Sequence, residues 1–363
     1  MCIRDSITSE LKDMVSRVVK GASCDKLIPL TNYIGFEVKD NVLCLRTTDG
    51  ANFLSIYKDK VKAPNISCVL PVASFAKLVS KTTSEHIILT IEEGVLTFKG
   101  NGYYHIELVL DENGDILQFP DVSIEIPEDV KAVRVKQPIL QAVYDICTAS
   151  LAKTIENPVI TGYYFNDRVM TTDSLRLCVY SVNVFKRPAL LPIELLKLST
   201  LITEEDVQVY FVDNDVIIKS KTIEIAGTQL EDIESYPVEA LDGFLETEFP
   251  STCTIKKSLV QAALDRLSIF VSEYDKNTIK LLFTKTGLKM ISSRTKAEEI
   301  IPYDESDDFK EFECLLDIVQ FKELVNTLST DIITLSYGTP TAIKMVEGKV
   351  VQILSSLDED IDG

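Results

Sequence analysis

The apolar positions follow a helical and then a strand-like period, and this alternation recurs three times along the chain. Ile7, Leu11, Met14, Val15 and Val18 fall at i, i+4, i+7, i+8 and i+11, one stripe of a helix. Ile139, Leu140, Val143 and Ile146 form a second stripe, with Pro138 in the first turn, where a helix tolerates it. Val260, Ala263, Leu264 and Leu267 form a third. Each stripe is followed by β-rich runs flanking a polar pair: VLCLRTTDGANFLSI with Thr47, Thr48 and Asp49; RVMTTDSLRLCVYSV with Thr171, Thr172 and Asp173; GLKMISSRTKAEEII with Ser292, Ser293 and Arg294. Each of these predicts strand, turn, strand. A second helix comes next (PVASFAKLVS, PIELLKLSTL, DIVQFKELVNTL), and each leads into a hairpin with a tight polar turn. The alternation of Val207, Val209 and Phe211 implies a sheet with one buried face.

The fold class is therefore α+β: three tandem copies of one module of about 120 residues, a period taken from positions 49, 173 and 294, each with two helices packed on antiparallel sheets. Expected domains are 1–127, 128–250 and 251–363. The boundaries fall at Pro127 and Pro250, both after acidic stretches, as linkers often do. The tail DEDIDG (358–363) is expected to fray.

Composition narrows the chemistry. The chain has 363 residues, with 37 Lys and Arg against 56 Asp and Glu, a net charge of −19. That length exceeds what one core usually supports. Only two histidines occur, His86 and His105, so HExxH and Cys2His2 zinc sites are absent, and a Ser-His-Asp triad has little to draw on. The eight cysteines (Cys2, Cys24, Cys44, Cys68, Cys147, Cys178, Cys253 and Cys314) never stand at CxxC spacing and read as buried reduced thiols of a cytosolic protein. Neither GxGxxG nor GxxxxGK[ST] is present. Asp213, Asp215 and the run Asp304–Asp308 lack the spacing and glycine of a calcium loop. The Thr and Ser pairs have no base nearby and recur like turn residues. No enzyme, cofactor or metal is expected. No apolar run approaches the roughly 20 residues that span a bilayer, and no secretory signal opens the chain.

The segment VMTTDSLRLCVYS, together with the three-module period, FAKLVSKTTSE and SEYDKNTIKLLF, resembles the bacterial-type DNA sliding clamp, the beta subunit of DNA polymerase III, from about Ile7 to Leu357. The resemblance implies a DNA polymerase processivity factor. It would be a head-to-tail homodimer forming a ring of six domains, with sheets outside and twelve helices lining the hole. Such a ring encircles double-stranded DNA, slides without sequence specificity, tethers a DNA polymerase and is opened by an ATP-driven clamp loader. It also implies a cytoplasmic protein at the replication fork, or in the host cytoplasm if a phage encodes it. The eukaryotic-type clamp, with two modules per chain, is a more distant relative by shape. Three departures mark a divergent or phage member. Ser174-Leu175 stand where the family has Gly-His, Ser355 and an acidic extension follow the terminal apolar pair, and Met1–Ser6 reads as a leader or a sequence-end artefact and not as the family's first strand.

Site residues follow from the resemblance. Lys12, Arg17, Lys20, Lys77, Lys81, Lys136, Lys153, Lys197, Lys257, Arg266 and Lys322 are expected to face DNA, with Lys322 one residue out of register with Lys77 and Lys197. A ring positive inside and acidic outside would hold phosphates without reading bases. Taken singly, each of these cations reads better as part of a solvated helix face; their placement across three repeats is what points to DNA. The partner-peptide pocket is expected from Ile160, Thr172, Leu175, Arg176, Leu177, Pro237, Leu241, Ile353 and Leu354. It would suit a peptide bearing Leu or Phe, although Ile160, Leu177 and Ile353 taken alone read as core. Tyr104 and Ile106 are expected to meet Ile269 and Phe270 across the dimer interface; the alternative is an ordinary helix end packed on its own sheet. A clamp-fold interaction scaffold that does not encircle DNA is the alternative function, kept open by the −19 charge.

Overall fold

A computed structural model describes residues 2–61, 64–122, 124–154, 156–271, 277–292, 295–305 and 310–357. One order of ten elements recurs three times. The first copy runs β1 (Cys2–Ile7), α1 (Thr8–Val18), β2 (Tyr33–Lys39), β3 (Val42–Thr48), β4 (Phe53–Lys58), β5 (Ile66–Pro71), α2 (Val72–Lys81), β6 (His86–Glu92), β7 (Val95–Lys99) and β8 (Tyr103–Glu107). The second runs β9 (Val133–Lys136), α3 (Gln137–Cys147), β10 (Gly162–Phe165), β11 (Val169–Thr172), β12 (Arg176–Tyr180), β13 (Ala189–Pro192), α4 (Ile193–Ser199), β14 (Asp206–Val212), β15 (Asp215–Lys219) and β16 (Ile223–Thr228), followed by an extra helix, α5 (Val238–Leu245). The third runs β17 (Ser251–Lys256), α6 (Lys257–Leu267), β18 (Thr278–Thr284), β19 (Gly287–Ser292), β20 (Glu298–Ile301), a short extra strand β21 (Asp304–Glu305), β22 (Phe312–Asp317), α7 (Ile318–Thr327), β23 (Ile332–Thr339), β24 (Ala342–Glu347) and β25 (Val350–Ser355). The fold is three tandem copies of one α+β module.

By packing, the chain forms two compact units, 1–141 with 194–229 and 142–193 with 230–363, so the middle module contributes to both. The first unit holds an eight-stranded sheet in the order β5-β2-β3-β4-β16-β15-β14-β9 and a four-stranded sheet β1-β6-β7-β8. Its large sheet joins two modules edge to edge, where β4 pairs with β16 and Phe53 sits opposite Ala226. The second unit holds a nine-stranded sheet β13-β10-β11-β12-β25-β24-β23-β17-β21 and a four-stranded sheet β20-β19-β18-β22. There β12 pairs with β25, with Leu177 opposite Ile353. Every named strand pair is antiparallel; β14 alternates buried and more open positions, whereas β10, β11 and most of β12 are buried on both faces.

The predicted stripes point inward, except that Ile7, expected in the first helix, ends β1 instead. Leu11, Met14, Val15 and Val18 of α1 are buried, as are Val260, Ala263, Leu264 and Leu267 of α6. In α3, Leu140 and Val143 are buried while Ile139 and Ile146 are half-buried. The Thr and Ser pairs recur for a structural reason. The first hydroxyl of each pair donates to the end of the preceding helical segment: Thr47 Oγ1 to the Val18 carbonyl (2.6 Å), Thr171 Oγ1 to Cys147 (2.8 Å) and Ser292 Oγ to Phe270 (3.1 Å). Each pair thus ties a helix end, which has carbonyls without helical partners, to its sheet. Ser293 and Arg294, like the segment 272–276 and the tail 358–363, lie outside the described residues. Thr171→Val, which keeps the shape and removes the donor, is expected to lower stability by about 1–2 kcal/mol, read as a lower midpoint of urea unfolding.

Two expectations are corrected. Cys2–Ile7 is a strand, antiparallel to β6 with Cys2 opposite Thr90 and Ile7 opposite His86. An irregularity between Ile3 and Ser6 breaks the period of two, which hid the strand from pattern reading. Of the thiols whose surroundings are described, six are buried, but Cys24 is exposed. Burial pushes Cys44, Cys68, Cys253 and Cys314 up to about 12, which keeps them unreactive near neutral pH. Cys147 and Cys178 lie 3.8 Å apart, sulfur to sulfur, as free thiols.

Candidate partner and nucleic-acid interfaces

In the second unit the TTDSLR segment is a tight turn between β11 and β12. Asp173 Oδ1 accepts from the amides of Leu175 (3.0 Å) and Arg176 (2.7 Å), and Thr172 Oγ1 donates to the Arg176 carbonyl (2.7 Å). The first copy repeats this bond for bond: Asp49 Oδ1 accepts from Ala51 (2.9 Å) and Asn52 (2.7 Å), and Thr48 Oγ1 donates to the Asn52 carbonyl (2.7 Å). Ser174 has a left-handed backbone (φ 77°), as Gly50 does (φ 104°). The side chain at this position carries no sequence-legible role; the turn requires the positive φ.

The turn aims Arg176 into the protein. Its side chain is 3% exposed and ion-paired with both Asp173 (2.8 Å) and Glu323 of α7 (2.5 Å). Lys153 adds a second cation to Glu323 at 3.2 Å. Burial alone would raise the Glu323 carboxyl, but the bonds from Arg176 and Lys153 outweigh it and hold the group below the ordinary range.

Beyond the turn, one face of the nine-stranded sheet carries an apolar cluster that includes Ile160, Met170, Leu177, Tyr236 and Ile353, with Leu241 of α5 packed against it. Tyr164 stacks on Tyr236 at 4.7 Å, and the Tyr236 hydroxyl donates to the Met170 carbonyl at 3.1 Å. Thr172 is buried, Pro237 half-buried and Leu175 46% exposed. Leu354 is placed otherwise than expected. Side chains alternate across a strand, so Leu354 points away from Ile353 and packs in the cluster with α6 and α7. Sequence reasoning also missed α5 and Glu323. The signal for α5 was there, in Val238, Leu241 and Leu245 at helical spacing after Pro237. The partnership of Glu323 with Arg176 carries no local signal.

The matching sheet face of the first unit is different in kind. Around Phe53 and Ala226 stand Arg46, Ser55, Tyr57 and Glu224, with a cavity of only about 10 Å³. Arg46 is ion-paired with Glu37 at 2.7 Å. Among the described residues, the junction at β12 and β25 alone carries an apolar cluster on this sheet face; Ile160, Leu177 and Ile353 are buried in it as core, and Val238, Leu241, Phe244 and Leu245 of α5 are its half-open part.

The cations divide between the units. In the first, Lys20, Lys77, Lys81 and Lys197 are exposed and Lys12 half-exposed, and none has an acidic partner among the described residues. Lys12 and Lys77 border a groove of about 530 Å³ between α1 and α2. Arg17 is held by Asp13, and Lys136 by Glu205 (3.0 Å) and Asp206 (2.7 Å). In the second unit every expected cation is engaged: Lys153 with Glu323, Arg266 with Glu299, Lys322 with Asp265, and Lys257 donating to the Leu328 carbonyl. Lys197 and Lys322 are each the fifth residue of their helices and Lys77 the sixth of its own, so Lys77 and not Lys322 is the one shifted.

Each unit also exposes a sheet edge. β8 ends the small sheet of the first unit, with Tyr103 66% and Tyr104 42% exposed and Ile106 half-buried. β20 ends that of the second, with Ile300 exposed. Ile269 and Phe270, in the short 3₁₀ turn after α6, are 76% and 47% exposed, so they are not packed as an ordinary helix end. Among the described residues no group of three or more His, Cys, Asp or Glu could hold a metal ion, and no helix is long and apolar enough to cross a membrane.

This fold is the one seen in bacterial DNA sliding clamps. The chain superposes on the beta chain of DNA polymerase III from Streptococcus pneumoniae with a TM-score of 0.85 at 15% identity, covering 99% of this chain and 100% of that one. For subunit beta of DNA polymerase III from Borrelia burgdorferi, solved with a natural product, the values are also 0.85, 15%, 99% and 100%. For the DNA polymerase sliding clamp of Bacillus subtilis they are 0.82, 16%, 98% and 98%. No family model matches the sequence, and no curated protein matches it.

Proposed function

We propose that this protein is a DNA polymerase processivity factor. Two copies would join head to tail into a ring of six domains, with boundaries at 127 and 250 in each chain, that encircles double-stranded DNA and slides along it. It would catalyse nothing itself and carry no cofactor. An ATP-driven loader would open it, in the cytoplasm where replication takes place. The observation that carries this reading is the full-length clamp fold, with its order of ten elements repeated three times.

The charge pattern supports it. Helices α1, α2 and α4 carry the unpaired lysines, which attract phosphates without reading bases, while the net charge of −19 keeps affinity low. Retention would then rest on linkage and not on binding strength. The exposed edges β8 and β20, with Tyr104 and Ile106 on one unit and Ile269 and Phe270 on the other, suit a contact between unlike surfaces of two copies. The half-open apolar residues Val238, Leu241 and Phe244 of α5, lying over the buried Leu177 and Ile353, suit the Leu- or Phe-bearing peptide of a polymerase.

The test is retention on DNA. After loading onto nicked circular duplex, the protein is expected to stay through a wash at about 0.5 M salt, where phosphate contacts are largely screened, and to leave when the circle is cut. Equal retention on circular and linear DNA excludes encirclement and leaves a scaffold of the same fold.

A further inference from the structure

The apolar face that meets α5 is bordered by a segment of one charge sign. Between Gln229 and Pro250 stand seven carboxylates and no Lys, Arg or His. Asp242 is held by Arg168. The other six, Glu231, Asp232, Glu234, Glu239, Glu246 and Glu248, are exposed and have no cationic partner among the described residues. The same segment supplies Tyr236, Leu241, Phe244, Leu245 and Phe249 to the apolar cluster, so charge and apolar surface belong to one stretch of chain.

α5 itself is an unfinished surface. None of its residues is buried; Val238, Leu241, Phe244 and Leu245 rest on the sheet yet remain half-open to solvent. Of the nearby cations, Arg168 is paired with Asp242 and Arg176 with Asp173 and Glu323, which leaves Lys344, over the Phe249 ring at 4.8 Å, to face six carboxylates. Six uncompensated carboxylates on a short segment repel one another, a standing cost to the folded chain that a cationic partner would relieve. The polar junction of the first unit does not share this design, since its Arg46 and Glu37 neutralise each other.

We infer that the segment docking on this face is cationic: Leu or Phe anchors seated on the apolar cluster, flanked by Lys or Arg that face the carboxylates of 231–248. The apolar contacts supply the hold, and the flanking charges select among partners and speed encounter. The inference rests on the peptide-site reading above and narrows it to one class of partner.

Fluorescence anisotropy of the full-length protein tests it with three peptides that share one Leu- and Phe-bearing core and differ only in Lys/Arg, Ser/Gly or Glu/Asp flanks. At about 50 mM salt the basic peptide is expected to bind about tenfold more tightly than the neutral one, and the acidic one more weakly still. At about 500 mM salt the three converge. The combined Glu231→Gln, Glu234→Gln and Glu239→Gln variant is expected to remove most of the advantage of the basic flanks. Equal affinities at low salt, with the neutral peptide bound, overturn the cationic preference and leave the site reading intact. Binding of the basic peptide that survives replacement of its Leu and Phe by Ser also overturns it, because charge alone then suffices. If none of the three binds, the site reading itself falls, and the preference with it.

Discussion

Arg176→Ala is expected to destabilise the second unit by about 2–3 kcal/mol and to weaken peptide binding at the β12 and β25 face together with it. Arg176 is 3% exposed and bridges Asp173, in the turn before β12, to Glu323 on α7. Removing a buried charge from a pair leaves its partners desolvated and uncompensated. The figure sits at the lower end of that effect because Glu323 is 35% exposed and keeps Lys153. Arg176→Met, which preserves the stem but not the charge, should recover part of the packing and none of the ion pair. Urea unfolding reads the loss.

The pH dependence gives an independent sign. Glu323 titrates below its ordinary range when folded, so its contribution is fully present above the unfolded glutamate value of about 4.3 and disappears as pH falls through the lower folded value. Glu323→Gln should therefore cost stability near neutral pH and progressively less in acid. A cost that stayed constant, or grew, as pH fell would contradict the assigned pair.

Placing Asp at both Ile269 and Phe270 is expected to give a monomer, with affinity between copies lowered on the order of a thousandfold, and to abolish salt-resistant retention on circular DNA. Both side chains are largely solvated in the single chain, so the substitution should leave the thermal midpoint nearly unchanged. The reason for the size is that an interface centre excludes water, and two carboxylates placed there lose hydration without gaining partners. Light scattering at micromolar protein reads the mass. A double variant that still runs as a dimer would move the contact away from the turn after α6.

The triplicate order of elements was legible because it rests on periods of 3.6 and 2 that each segment carries within itself. The inward stripe of α1 and the hairpin alternation of β14 are local facts of side-chain direction. The recurring Thr-Thr-Asp was legible as a turn, and its hydrogen bonds match in two copies. The strand at Cys2–Ile7 was not, because its pairing is interrupted.

What the sequence determined by itself was therefore the repeated core of the module: its two helices, its hairpins and the faces of them that turn inward, but neither the strand Cys2–Ile7 nor α5. Tertiary structure decided everything that depends on residues distant along the chain. Whether Lys197 stays free while Lys322 is neutralised depends on Asp265 lying 2.7 Å from the latter. Arg176 is buried against Glu323, 147 positions away, as well as against the neighbouring Asp173. Ile353 and Leu354 are adjacent and alike in sequence, yet the pairing of β25 with β12 sends one to the apolar face and the other to the helical core. Local periodicity encodes direction, whereas charge compensation and burial are set by neighbours that only folding brings together.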